Sequence, residues 1–217
     1  MTVTLLRMTP IVIVAFVSTA FGADESGVPV PKPEVKANDT WTYRRTNYTP
    51  AVPQVTTYME RVTFVGPDEI LPINGNGSRD SQWSSEWGAI SLGGSGTVHD
   101  KPARFLNFPL TVGTSHELTF EVVARRQGTA RSRYRDTVKV VGWEDVVVPA
   151  GKFRALKIEA NGTFFRMDAS FGGWTRREFW YAPEVKRWVK FIYQDGTRGP
   201  SSPYANETHE LIRFEVQ

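Results

Sequence analysis

The residues whose types and spacing could support catalysis are few. The three histidines are His99, His116 and His209. None is spaced from another as in a His-x-His or His-Glu-x-x-His metal pair. His116 precedes Glu117 and His209 precedes Glu210, but adjacent residues of a strand point to opposite faces. An acid–base or metal site would need these groups to converge through the fold. Gly93-Gly94-Ser95-Gly96-Thr97 approaches a Gly-x-Ser-x-Gly nucleophile elbow, but Thr97 stands where the last glycine is required. Gly75-Asn76-Gly77-Ser78-Arg79-Asp80 lacks the third glycine of a dinucleotide loop. Asp80 and Glu86 could pair as carboxylates, but nothing fixes their separation as a glycosidase needs. The chain has no cysteine, which removes thiolate zinc sites, cysteine nucleophiles and thiol redox chemistry. No catalytic residue, metal site or cofactor is assigned.

Aromatic residues offer a different chemistry. The chain carries Trp41, Trp83, Trp87, Trp143, Trp174, Trp180 and Trp188, with 13 Phe and 7 Tyr. Cross-strand aromatic pairs in a β core account for most of them. The functional reading is a concave apolar surface that accepts an acyl chain, a sugar or a polymer. Trp83 and Trp87 lead that reading because the segment around them is polar. On one helical turn their i, i+4 spacing would place both indoles on one side. Trp180 and Trp188, on two aromatic-rich segments, complete the candidate ligand-binding set.

A second cluster is basic. Arg125, Arg126, Arg131, Arg133 and Arg135 surround Gly128. They read either as solvated strand residues offset by Glu117 and Glu121, or as an anion-contacting tip in which Arg126, Arg131 and Arg133 are the candidates. A net charge of +3 is far below that of a nucleic-acid-binding tail, and no nucleic-acid motif is present.

These residues sit on a predicted frame of three parts. Residues 1–22 read as a secretory signal: Arg7 precedes the apolar run Ile11–Val17, and Ala20 and Gly22 are the small residues of a cleavage site. The apolar run is about half of the ~20 residues a spanning helix needs, so no transmembrane span is expected after cleavage. Residues 23–38 carry Pro29, Pro31 and Pro33 and read as an extended tether. Residues 39–217 read as a single all-β domain. Five Asn-x-Ser/Thr sequons occur, at Asn38, Asn47, Asn76, Asn161 and Asn206. Export without cysteine nonetheless points to a bacterial periplasm.

Alternation and turn residues predict strands over 40–46, 56–65, 69–73, 115–126, 130–143, 146–148, 153–160, 163–168, 174–181, 187–194 and 209–216. The helix expected is a turn or two, near Ser81–Trp87 or Pro200–Asn206. One hairpin register follows from charge. A three-residue loop at Gln127-Gly128-Thr129 sets Glu121 opposite Arg135, Glu117 opposite Lys139 and Leu118 opposite Val138; a two-residue loop sets Phe120 opposite Arg135. Opposed charges contribute about 0.2–1 kcal/mol per pair, which favours the three-residue loop. Turns at Val148-Pro149-Ala150-Gly151 and at Tyr181-Ala182-Pro183 join further sequential strands. The expected architecture is a curved antiparallel meander sheet that closes into a half-barrel, barrel or sandwich.

Four motifs, in order along the chain, resemble exported bacterial β-proteins catalogued as domains of unknown function, similar in style to half-barrel periplasmic lipid carriers. They are Asp39-Thr40-Trp41-Thr42-Tyr43, Phe108-Pro109-Leu110-Thr111-Val112-Gly113, Val148-Pro149-Ala150-Gly151-Lys152-Phe153 and Phe179-Trp180-Tyr181-Ala182-Pro183. The resemblance implies a curved sheet in the periplasm and supplies no reaction. The expected function is a non-enzymatic periplasmic domain that binds an amphipathic ligand or an envelope partner, whether lipid, glycan or protein. Two rivals stand beside it: a structural or assembly protein with a closed core, and a hydrolase acting on envelope polymers. Convergence of His116 or His209 with a carboxylate in a pocket would favour the hydrolase.

Overall fold

The structure, a computed structural model, describes residues 27–66, 69–74, 81–93, 96–125, 130–197 and 203–217. The proposed signal at 1–22, Asp80, Arg126 and Gly128 lie outside the described residues. The strands, in chain order, are β1 (Thr40–Asn47), β2 (Gln54–Val65), β3 (Glu69–Asn74), β4 (Gln82–Ser84), β5 (Ala89–Leu92) and β6 (Thr97–Ala103). They continue as β7 (Ser115–Ala124), β8 (Ala130–Val148), β9 (Gly151–Arg166), β10 (Phe171–Ala182), β11 (Arg187–Gly196) and β12 (Ala205–Glu215). Each pairs antiparallel with its neighbour in sequence, and β1 lies between β2 and β12 and closes the ring. β7–β12 with β1 and β2 form the strongly curled wall. The short strands β3–β6, three to seven residues long, complete it.

Side-chain alternation sorts the two faces. On β8, Ala130, Ser132, Asp136, Val138 and Val140 are buried, while Arg131, Arg133, Arg135, Thr137 and Lys139 are exposed. Charges thus occupy an outer face that a lipid-spanning barrel strand would make apolar. A register shift between Val140 and Gly142 carries β8 on as one strand through the break the sequence suggests at Glu144-Asp145. β9 likewise runs unbroken through Asn161-Gly162, because Gly162 lets two strands approach closely. A Cβ there would meet the Arg135 carbonyl oxygen at 2.1 Å and Asp136 Oδ1 at 2.3 Å.

The β7–β8 hairpin differs from the expected register. Its connection spans 125–129, and Glu121 lies opposite Arg133, not Arg135. Facing is unchanged, because the slip is an even number of residues. Ion pairing survives too: Arg133 Nη2 is 2.7 Å from Glu121 and Arg131 Nη2 is 3.5 Å away. The observed register sets Phe120 against Tyr134, with rings stacked at 5.0 Å. A buried aromatic stack outweighs the choice between exposed charge partners.

Other expectations are also corrected. Ser81–Trp87 forms β4 and a turn, not a helical turn: Trp87 donates its backbone N–H to Ser84 O at 2.9 Å and has φ of 59°. Within 200–206 the described residues show no helix, and β12 starts at Ala205. The proline-rich segment does not stand free of the domain. Val30 pairs with Leu110 through two backbone hydrogen bonds, and Val30 and Val35 are 8% and 7% exposed within the core.

The ring has two ends. One is sealed by the β6–β7 connection with buried Leu106 and Leu110, the docked Val30, and the β10–β11 corner at Pro183–Lys186. The other carries the β1–β2, β7–β8, β9–β10 and β11–β12 connections. Asp136 sits inside the wall between these ends, and the lack of a Cβ at Gly162 makes its place. Gly162→Ala should therefore destabilise the protein by about 3 kcal/mol, the upper end of overpacking costs, as measured by urea denaturation. Gly142→Ala, where a Cβ meets nothing within 4 Å, should stay near neutral.

Candidate aromatic cavity

Inward-facing aromatics do not fill the barrel. A hollow of about 760 Å³ remains. Its deep part is walled by Trp83, Trp87, Phe105, Phe120, Phe179 and Trp188. Nearer the opposite end stand Tyr134, Phe164, Phe171, Tyr193 and Tyr204, together with Arg45, Arg166, Arg177, Asp195 and Glu207. The hollow thus runs from an apolar floor to a polar, charged mouth.

The floor is held by hydrogen bonds from aromatic side chains to one corner. Trp41 Nε1 donates to Val185 O at 2.9 Å, Trp87 Nε1 to Lys186 O at 2.8 Å and the Tyr43 hydroxyl to Trp188 O at 2.7 Å. Arg187 lies behind this floor and is 1% exposed. Its guanidinium is 4.3 Å from the Trp188 ring, 4.5 Å from Trp87, 5.2 Å from Trp41 and Trp83, and 5.9 Å from Tyr43. Glu60 Oε2 is 2.5 Å from Nη1, an ion pair off the hydrogen-bond line, and Nε has no acceptor among the described residues. Five ring faces supply the rest of the compensation. A desolvated cation–π contact is worth about 2 kcal/mol.

Halfway up the wall a second cation is built in. Arg177, 8% exposed, donates Nη1 to Asp136 Oδ2 at 2.9 Å, and Thr175 Oγ1 donates to Asp136 Oδ1 at 2.6 Å. The guanidinium stacks on Phe105, Tyr193 and Tyr134 at 4.9, 5.1 and 5.4 Å. Near the mouth, Glu207 bridges Arg45 and His209, and His209 Nδ1 is 2.7 Å from the Tyr58 hydroxyl. Burial raises the Glu207 carboxyl, but hydrogen bonds from His209 and Arg45 outweigh it and bring the pKa down to about 2. Burial pushes the Tyr58 hydroxyl well above its ordinary range, so it stays protonated.

The candidate residues separate cleanly. Trp83, Trp87 and Trp188 meet at the floor, with ring centroids 5.6–6.3 Å apart. Trp180 does not join them. It faces outward next to inward Phe179, donates Nε1 to Glu144 at 2.8 Å and lies between Lys157 and Lys190. Arg131 and Arg133 lie on the outer face, paired with Glu121 and away from the hollow. His116 is near Arg104 O, outside the cavity, whereas His99 and His209 line it. Glu86 pairs with Arg104 at 3.2 Å. Among the described residues no group of three His, Asp or Glu side chains could hold a metal. Sequence reasoning missed Arg177, Arg187 and Asp136. The available signal was a charged residue at an inward-facing position of an alternating strand.

Fold and cavity together define the class: a curled antiparallel β-barrel built around an aromatic hollow. No protein-family model and no curated protein matches the chain. Among solved structures it is similar to a candidate exported protein of Bacteroides fragilis with a YmcC-like fold. The two are 15% identical, with a TM-score of 0.52 over 87% of this chain and 100% of that one. A candidate lipoprotein of Parabacteroides distasonis matches at 12% identity and a TM-score of 0.51, over 86% of this chain and 97% of that one. The chain thus shares its fold with exported-type bacterial proteins, as the four motifs implied. Among the described residues no helix is long and apolar enough to cross a membrane.

Two outcomes follow from the buried charges. Glu60→Gln leaves Arg187 buried without a counter-charge and should cost about 3–5 kcal/mol in urea denaturation. Burial drives the His99 imidazole pKa from its ordinary 6.5 down to about 4. The unfolded chain then takes up this proton before the folded one. The stability associated with neutral His99 is complete above pH 6.5 and is lost as pH falls toward 4, by up to about 1.4 kcal/mol per pH unit. His99→Gln should flatten the pH dependence of the urea midpoint in that window.

Proposed function

We propose that the chain is an exported, non-enzymatic binding domain of the bacterial periplasm that encloses the apolar part of an amphipathic ligand. The hollow of about 760 Å³ carries this reading. It falls within the range of about 300–1,000 Å³ typical of ligand sites, which combine mainly apolar walls with a few placed polar groups. Burying a ligand's apolar surface there yields about 25 cal/mol per Å². Trp83, Trp87 and Trp188 form the proposed contact surface, and the fold shared with exported-type proteins supports the location. A purely structural protein with a filled core accounts for the ion pairs but not for the hollow.

One observation favours a second reading. His209 and the Glu207 carboxylate lie 3.4 Å apart in the cavity, the convergence expected of a hydrolase. The other ring nitrogen of His209 faces the Tyr58 hydroxyl, which burial keeps protonated, and Glu207 is committed to Arg45. This arrangement orients the histidine and presents no activated nucleophile. Ester turnover that disappears in His209→Gln would establish the hydrolase.

Native mass spectrometry of the protein purified from its own periplasm should show a co-purified lipid or glycan. Val122→Trp, which adds an indole at a cavity-lining position of β7, should remove that adduct without loss of folding. An adduct retained by Val122→Trp, or none in the unaltered protein, would overturn the proposal.

A further inference from the structure

The hollow contains more charge than an acyl chain needs, and the placement of that charge bears on the class of head group. Two aromatic clusters at the hollow each already hold one of the protein's own cations. Five rings surround Arg187 behind the floor, and Phe105, Tyr134 and Tyr193 surround Arg177 in the wall. A cationic head group would find these ring faces occupied and a guanidinium beside it. The acidic residues of the lining are also engaged. Glu207 pairs with Arg45, while Asp195 accepts from the Tyr193 hydroxyl at 2.5 Å and from the Ala205 N–H at 3.1 Å.

Arg177 differs from them. Its Nη1 is used by Asp136, yet the side chain is itself part of the cavity wall, above the apolar floor and below the mouth. A guanidinium carries five donors in a rigid fork, and one edge can hold Asp136 while the other meets a second anion. Three stacked rings and the Asp136 pair fix its plane, so little side-chain entropy remains to be lost on binding. Arg166, also in the wall, is held by Asp168, to which its Nε and Nη2 donate at 2.9 and 2.8 Å, so Arg177 is the cation that remains for a ligand. His99 on the facing wall stays neutral down to about pH 4 through burial, with the charge of Arg177 adding to that effect.

We infer that the cavity selects an anionic single-chain amphiphile, held with its chain on the tryptophan floor and its carboxylate or phosphate on Arg177. This rests on the binding-domain reading and adds to it the sign of the head group. Charge-assisted hydrogen bonds in a water-poor site are about twice as strong as neutral ones, so the head group sets a preference among ligands of equal chain length.

The test is displacement of the neutral fluorophore N-phenyl-1-naphthylamine from the full chain at pH 7.5. The competitors are dodecanoate, dodecyl phosphate, 1-dodecanol and dodecyltrimethylammonium, each below its micelle concentration. Both anions should compete at least about tenfold better than the alcohol, and the ammonium compound less well than the alcohol. The ratio of dodecanoate to dodecyl phosphate identifies which acid the site prefers. Asp136→Asn, which frees Arg177 of its counter-charge, should raise anion affinity several-fold. Arg177→Met alone strands a buried carboxylate, so the double variant Arg177→Met/Asp136→Asn is the informative loss. It should bind dodecanol as before and treat all four head groups alike. Equal affinity for every head group in the unaltered protein, preference for the ammonium, or no gain in Asp136→Asn overturns the inference and leaves the binding domain standing. Failure of every amphiphile to displace the fluorophore overturns both.

Discussion

The hollow exists because the β10–β11 corner is fixed from several directions at once. Lys186 is in the left-handed region at φ of 61°, and its carbonyl is free to accept the Trp87 indole. Its ammonium reaches Asp39 at 3.2 Å, and Asp39 also accepts the backbone N–H groups of Lys36 and Gln217. One fully buried carboxylate thus ties the docked N-terminal segment, the corner and the C-terminal strand together. Arg187 then follows the corner directly into its cage of rings. Large side chains are drawn toward this corner by hydrogen bonds and cation–π contacts. That draws aromatic volume to the sealed end and leaves the middle of the ring open.

The open middle explains a polar arrangement that would otherwise be costly. Transfer of Asp136 and Arg177 from water to the interior costs several kcal/mol per ion before their attraction is counted. A packed apolar pair would stabilise the wall at least as well. Placement at a cavity surface changes the balance, since one face of the guanidinium borders space that water or a ligand can occupy. Gly162 gives up a side chain in the middle of a strand to admit the carboxylate, a sacrifice of local β preference for a specific contact. Such local conflict is expected where a fold serves a site.

Much of the sheet was legible because the long strands obey a strict two-residue period. The alternation on β7, β8 and β10 fixed which side chains face inward, and Phe120, Tyr134 and Phe179 follow it. The same period placed Trp180 outside, one residue from Phe179, so counting parity would have removed it from the candidate set. Exposed charge pairs do not set the β7–β8 register, whereas the Phe120–Tyr134 stack does. β4–β6 escaped notice for another reason. They are short and matched at few positions, with β3 and β4 paired at Glu69↔Ser84 and Ile70↔Trp83. Their strand character comes from neighbouring strands and not from their own side chains. Trp83 and Trp87 meet as the spacing suggested, although a turn and not a helix brings them together.

The unequal pairing around the ring has a mechanical consequence. β8 and β9 form a ladder from Ser132↔Arg166 to Val148↔Gly151, whereas β6 meets β7 from Thr97↔Ala124 to His99↔Val122. Local opening costs least where few backbone hydrogen bonds and few buried contacts must be broken. The strongly paired wall carries Tyr134, Phe164 and Arg177, with Asp136 buried behind Arg177, and the weakly paired side carries Trp83, Leu92, Thr97 and His99. The charged groups of the lining, whose contacts demand fixed geometry, therefore stand on the rigid side, and the apolar surface opposite them is the part freer to shift. An ion pair tolerates little displacement, while an apolar contact gains in proportion to area with no preferred direction. The division of strand lengths thus matches the division between charged and apolar lining inside the cavity.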